Sequence, residues 1–165
     1  MVNKMINLVC KKNSELSMDE VIDLFNIYYK NILPYIDKYK KYKEYSTIEY
    51  KNNWINYVIN RDNLLCFKYY DDNKLIGFIV LRLLEEETYI SDFNIIEEYQ
   101  DDGYTFKEMI KLAFPKCPVN KKITGRILAE NHNARLTFSS LGAVLRNKKF
   151  VISYEQLRKW IENNN

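Results

Sequence analysis

The sequence predicts an α/β domain of three layers, with helices on both faces of a central mixed, mostly antiparallel sheet. Three observations carry this. Apolar residues recur at helical spacing as Val21, Leu24, Phe25 and Tyr28, and again as Tyr50, Trp54, Tyr57 and Val58. From residue 64 the period becomes that of strands, in three runs joined as hairpins. Beyond Gly103 helices and strands alternate, which requires a βαβ-like crossover. The 165 residues, 47% hydrophobic with 4 Gly and 3 Pro, suit a single domain over 1–165 and exclude a disordered or linker-dominated chain.

Each element has its own signal. Residues 4–10 alternate loosely and read as a first strand. Asp19 and Glu20 fall where a helix start favours acids, so residues 18–31 form an amphipathic helix that Pro34 interrupts. A second helix carries Trp54. Leu64–Tyr70 is a strand, Asp71–Lys74 a hairpin turn, and Leu75–Leu84 an apolar strand buried on both faces. Glu85-Glu86-Glu87 is a charged turn before a strand over Thr88–Ile96. Gly103 opens a helix carrying Phe106, Ile110 and Ala113 and ending before Pro115. A strand over Ile123–Ala129 precedes a helix over Ala134–Leu141, stopped by Gly142. Ala143–Tyr154 supplies one or two closing strands, and Glu155–Glu162 a short last helix.

Composition removes several function classes. Net charge is +3, a weak bias for a nucleic-acid binder. The Tyr/Lys-dense stretch Tyr35, Lys38, Tyr39, Lys40, Lys41, Tyr42, Lys43 and Tyr45 reads either as a basic-aromatic surface or, more simply, as a solvated helix and loop. No apolar run reaches membrane-spanning length, and no signal peptide is evident, so no membrane or nucleic-acid partner is expected. Cys10, Cys66 and Cys117 are odd in number and widely spaced, which fits reduced thiols in a cytoplasm. His132 is the only histidine, so no zinc or multi-histidine iron site, and no metal cofactor, is expected.

Two segments hold the chemistry. In Tyr89–Thr105 a strand ends near Ile95, a tight loop follows, and Gly103 leads into a helix. Backbone N–H groups and a helix dipole then converge as an anion site. In Ala129–Ala143, Asn131 ends a strand and Asn133 can cap the following helix. Either segment alone could be an ordinary connection or a core helix.

In this order and at this separation the two resemble the GNAT superfamily of N-acetyltransferases. Gln100-Asp-Asp-Gly103-Tyr-Thr105 is similar to its pyrophosphate loop, Q/R-x-x-G-x-G/A, with Tyr99 before it. Asp71–Ile79 looks like its second hairpin. Asn131-x-x-Ala134 with Phe138 and Leu141-Gly142 resembles its N-x-x-(S/A)…Y…L-G-F segment. The likeness covers roughly residues 65–145. It implies a sheet splayed between its fourth and fifth strands, and acetyl transfer from acetyl-CoA to a primary amine by direct attack in a ternary complex. The acceptor would be a small molecule or a protein amino group, and a homodimer could form through the closing strands. Pantetheine would lie along Phe93, Asn94 and Ile95. The pyrophosphate would rest on the N–H groups of Gln100, Asp101, Asp102, Gly103, Tyr104 and Thr105, with Asn131, Asn133 and Phe138 completing the cofactor site.

Asp101 and Asp102 stand where relatives often carry Gly, Lys or Arg. Phe138 replaces the tyrosine that protonates the departing thiolate in many relatives, leaving that step to water, another Tyr, or Ser139. For the base, Asp92 is the nearest carboxylate, and His132 has a suitable intrinsic pKa. Two other readings follow from the same residues: a catalytically weak or inactive module that binds acyl-CoA, and a nucleic-acid binder using the Tyr/Lys stretch.

Overall fold

The computed structural model describes residues 4–38 and 47–165. Seven strands form one sheet: β1 (Ile6–Lys12), β2 (Leu64–Asp71), β3 (Lys74–Leu83), β4 (Glu87–Ile95), β5 (Lys122–Arg126), β6 (Val144–Arg146) and β7 (Lys149–Ile152). Their order is β1-β2-β3-β4-β5-β7-β6. Every neighbouring pair is antiparallel except β4 and β5, which run parallel. The helix α3 (Thr105–Ala113) makes that crossover.

Among the described residues five α-helices cover the two faces. α1 (Met18–Lys38) and α2 (Thr47–Asn60) pack Val21, Leu24, Phe25, Trp54 and Val58 against Cys66, Phe78 and Val80 of the sheet. On the opposite face α3 lays Met109 and Ala113 on Phe67, Tyr69, Ile76 and Ile79. Further along that face, α4 (His132–Ser140) and α5 (Tyr154–Asn163) enclose Ile123, Phe150 and Ile152 with Phe138 and Leu157. On the side of α1 and α2 the ends of β5, β7 and β6 leave Arg126, Lys149 and Arg146 exposed, while Thr124 is buried.

Several boundaries differ from expectation. Helix α1 runs through Pro34 to Lys38. The proline forfeits one hydrogen bond, toward the Lys30 carbonyl, while Tyr35 and Ile36 beyond it line a cavity. Of the Tyr/Lys stretch, Tyr35 and Lys38 lie in α1; Tyr39, Lys40, Lys41, Tyr42, Lys43 and Tyr45 lie outside the described residues. Strand β5 ends at Arg126, earlier than expected, with one further bond in the same register, from Ile127 N–H to the Lys148 carbonyl at 2.7 Å. Asn131 therefore sits in the connection, and the closing segment forms two strands.

The stop at Gly142 is as expected. It has φ +94°, with Gly142 N–H on the Ser139 carbonyl (3.0 Å) and Ala143 N–H on the Phe138 carbonyl (3.3 Å). These are the two bonds of a Schellman ending, which a left-handed glycine permits.

Candidate active site

Strands β4 and β5 pair only from Glu87–Ile90 to Lys122–Gly125. Past Ile90 they part, and the rest of β4 keeps β3 as its one partner. Antiparallel alternation points every second residue's backbone groups at the neighbouring strand. Ile96 N–H bonds the Ile76 carbonyl of β3, 2.9 Å. Phe93 and Ile95, out of phase with it, turn their N–H and C=O away from β3 into the opening. A cavity of about 440 Å³ lies there, lined by Phe93, Asn94, Ile95, Gln100, Asp101, Phe106, Asn131, Asn133, Ala134, Thr137 and Phe138, with Asn31 and Pro34 of α1 above.

A bulge sets what faces this opening. Val80 pairs with Asp92 and Leu81 with Ile90, so Ser91 is the extra residue. Ser91 and Asp92 consequently both point toward α2: the Ser91 hydroxyl lies 2.5 Å from that of Tyr57, and Trp54 Nε1 donates to Asp92 Oδ1 at 3.3 Å. Burial raises the Asp92 carboxyl to about 7, opposed by the Trp54 hydrogen bond. Burial, reinforced by the Asp92 charge, also pushes the Cys66 thiol to about 12 and Tyr28 upward. Among the described residues no cation holds it down, and a carboxylate poised near neutrality can take a proton from an ammonium.

Beside Asp92 a second cavity, about 450 Å³, is lined by Tyr28, Ile32, Tyr35, Ile36, Tyr50, Ser91, Arg126, Ile127, Leu128 and Lys148. Tyr35 also borders the first cavity, so the two adjoin.

The loop before α3 departs from expectation in its donors. Gly103, at φ +67°, precedes the helix, which begins at Thr105. Asp102 caps it: Oδ1 accepts from Tyr104 N–H (2.9 Å) and Thr105 N–H (2.8 Å), and Oδ2 from Thr105 Oγ1 (2.5 Å). Lys4 donates to the same oxygen at 2.8 Å. These hydrogen bonds overcome burial and hold the Asp102 carboxyl at about 2. The Gln100 N–H is given to the Glu97 carbonyl, 3.2 Å. Three of the six N–H groups expected to receive an anion are thus committed within the chain, leaving those of Asp101, Asp102 and Gly103. Asp101, at φ +50°, takes a left-handed conformation where a side chain is strained.

The Gln100 side chain reaches back instead, Nε2 donating to the Ile95 carbonyl (2.8 Å) and to Asn31 Oδ1 (3.3 Å). Asn31 Nδ2 donates to the same carbonyl and to Asn94 Oδ1, both at 3.1 Å. Asn31 and Gln100 therefore close the end of the opening.

At the far wall Asn131, not Asn133, caps α4, accepting from Ala134 N–H at 3.1 Å. Asn133 is exposed in the first turn, its carbonyl taken by Thr137 Oγ1. Phe138 stacks on Phe150 (4.5 Å) and meets Phe93 and Phe106 edge-on (5.9 and 5.7 Å).

The sequence model of the acetyltransferase (GNAT) family matches residues 19–142, most of the chain. The chain belongs to the GNAT acetyltransferase family. Solved GNAT structures share its fold. An acetyltransferase from Thermus thermophilus aligns with TM-score 0.64 at 12% identity, over 90% of this chain and 96% of that one. The N-acetyltransferase PseH of Campylobacter jejuni, in complex with acetyl coenzyme A, gives 0.55 at 17%, over 89% and 99%. The spermidine/spermine N-acetyltransferase SpeG of Vibrio cholerae gives 0.59 at 15%, over 97% and 98%. Comparison with curated proteins gives no match by sequence.

In this GNAT chain the opening gathers Asp92's strand, Phe93, Asn94, Ile95, Gln100, Asp101, Asn131, Asn133 and Phe138. Asp102, Tyr104 and Thr105 are engaged with one another beside it. His132 lines a different groove, with Arg126 and Lys148, and Ser139 is exposed on α4 away from the cavity lining. Among the described residues no helix is long and apolar enough to cross a membrane, and no cluster of three metal-ligating side chains occurs. Sequence reading missed Asn31, Tyr28, Ile32, Ile36, Arg126 and Lys148. The spacing Tyr28, Ile32, Tyr35, Ile36 is one helical face, a signal that was available once α1 is allowed to run through Pro34.

Proposed function

We propose that this chain is a cytoplasmic enzyme, one domain throughout, that transfers the acetyl group of acetyl-CoA to a primary amine by direct attack in a ternary complex. The observation that supports it most is the pairing of an opened β4 edge with a deep carboxylate held near 7. Acetyl-CoA supplies the activated thioester. The residues present fit its shape. The outward backbone groups of Phe93 and the Ile95 N–H can bond an extended amide chain, the Ile95 carbonyl being held by Gln100 and Asn31, and the apolar floor of Phe93, Phe106 and Phe138 excludes water. The N–H groups of Asp101, Asp102 and Gly103 remain as pyrophosphate donors. Open space around Gly103, where an added Cβ would meet nothing within 4 Å, leaves room for a phosphate.

Asp92 acts as the base, accepting the ammonium proton through one water at the Ser91–Tyr57 hydroxyl pair, since Ser91 lines the cavity and Asp92 lies behind it. Trp54 orients Asp92. A second reading, an acyl-CoA-binding module with little or no catalysis, draws on Phe138, which has no proton to give a thiolate, and on Asp102 filling part of the anion site.

One experiment separates them. Purified protein is titrated with acetyl-CoA by calorimetry, then assayed for free thiol release against a panel of primary amines. Saturable binding with amine-dependent thiol release is expected. Binding without release would leave the module, and absence of binding would remove both.

A further inference from the structure

The β5–β7–β6 end of the sheet carries an exposed row of cations that acetyl transfer as such does not require. Arg126 on β5 stands directly opposite Lys149 on β7, which stands directly opposite Arg146 on β6. Cross-strand partners project from the same face a few ångströms apart, and like charges there destabilise a sheet. Among the described residues none of the three is ion-paired. The turn joining β6 and β7 adds Lys148, and it is tied down on two sides. Its Asn147 carbonyl accepts from Arg135 Nη1 at 2.6 Å, and its Lys148 carbonyl from Ile127 N–H at 2.7 Å. Self-repelling charges on an anchored scaffold are relieved by an anion arriving from outside.

The location says which anion. The basic groove, about 790 Å³, shares Arg126 and Lys148 with the aromatic cavity beside Asp92. That cavity in turn adjoins the opening along β4 through Tyr35. The three are continuous: the β4 opening, the cavity of Ser91 and the tyrosines with Asp92 behind it, then the cations. A molecule presenting an amine to Asp92 extends its other end toward Arg126 and Lys148.

We infer that the acceptor is an amine bearing a separate carboxylate or phosphate group, docked on Arg126 and Lys148 with Lys149 and Arg146 behind them, its apolar or aromatic body lying among Tyr28, Tyr35 and Tyr50. The inference rests on the acetyl-transfer reading and names its substrate class. A polyamine or other polycation meets like charge at the same place.

The test is calorimetry on the full chain at saturating CoA, titrated with O-phosphotyramine, 4-(2-aminoethyl)benzoate and tyramine. An anionic amine is expected to bind about tenfold more tightly than tyramine, the worth of one charge-assisted hydrogen bond. That advantage is expected to shrink at high ionic strength, and to fall to about twofold in the double variant Arg126→Gln, Lys148→Gln. Preference for the phosphate or for the carboxylate identifies the group, and either supports the inference. Equal binding of tyramine overturns it, as does an advantage that survives salt. So does a double variant that loses affinity for CoA while keeping its amine preference, which would assign the groove to CoA. The salt titration uses the unaltered protein and stands even if the variant does not fold. Thiol release is followed separately. Anion-selective binding with no release would sink acetyl transfer and leave the docking site, whereas tyramine acetylated as fast as O-phosphotyramine would sink the docking site and leave the enzyme.

Discussion

The two ends of the cleft carry charges opposite to those a simple ledger would assign. At the α3 end, where a pyrophosphate is proposed to sit, the loop side chains are Asp101 and Asp102, with Lys4 already bonded to Asp102 and Lys30 on the cavity wall. At the β5–β7 end, on the side from which the amine acceptor is proposed to enter, Arg126, Lys148 and Lys149 gather with no ion pair of their own among the described residues. The difference separates two ways of holding an anion. Main-chain N–H groups at a helix start do so without regard to side-chain charge, so carboxylates are tolerated there. Side-chain cations need register and turn geometry to bring them together, and they select for what lies beyond the reacting nitrogen.

Several changes would break or sharpen this contrast. The largest effect is expected at the hinge between the two ends. Replacing Asp92 with Asn should lower amine acetylation by about 10²–10⁴-fold, the usual worth of a general base. In the unaltered protein the rate should rise as pH passes through about 7, because only the ionised Asp92 accepts a proton. Stopped-flow or steady-state pH profiles would show that limb, and its persistence in Asp92→Asn would remove Asp92 from the role. Stability should move the other way. A carboxyl raised in the folded state favours folding below its ordinary pKa and loses that advantage as pH climbs through 7.

Next in size is Phe138→Ala. It empties a place touched by Phe93, Phe106 and Phe150, and should cost about 3–5 kcal/mol in denaturant unfolding. Because Phe93 and Phe106 floor the CoA end, acetyl-CoA affinity should fall with it while the basic end keeps its anion preference. Loss of both would mean the ends are not separable.

The smallest change bears most directly on the comparison. Asp102→Ala removes the cap of α3, costing about 1 kcal/mol of stability, yet frees the N–H groups of Tyr104 and Thr105 and deletes a negative charge. Acetyl-CoA should then bind roughly severalfold more tightly, read by calorimetry. Unchanged or weaker binding would show that the capped amides were never in competition with a phosphate. The acid behaviour of the protein offers a check. Asp102 sits near 2, below its ordinary value, so its stabilisation is complete above about pH 4 and is lost as pH falls through 2. That step should vanish in the variant.

How far the sequence revealed this follows from the range of the interactions. Gly142 and the Asn131 segment were legible because a helix stop and a cap are written within four residues. Asn131 and Asn133 were nonetheless exchanged as cap, since both fit locally and only the early end of β5 decides. The six loop donors were overcounted because Asp102 was taken only as a departure from relatives, whereas it claims two of them, Glu97 a third, and its bond to Lys4 spans 98 positions. Helix α1 was cut short at Pro34 by a local rule that the tertiary packing overrides. The basic row was invisible: Arg126, Arg146 and Lys149 share no period and no motif, and become neighbours only through the register of β5, β7 and β6.

The extra residue at Ser91 has one more consequence, for heritable change. Beyond it Asp92 faces α2 while Phe93 joins the aromatic floor. Losing the Ser91 codon would close the bulge into a regular ladder, with Asp92 still toward α2 and Phe93 still in the floor, because the pairs on either side of it are already in register. Descent would then lose the hydroxyl beside Tyr57 but not the facing of the carboxylate. The strand's length here is more forgiving than the identity of Asp92.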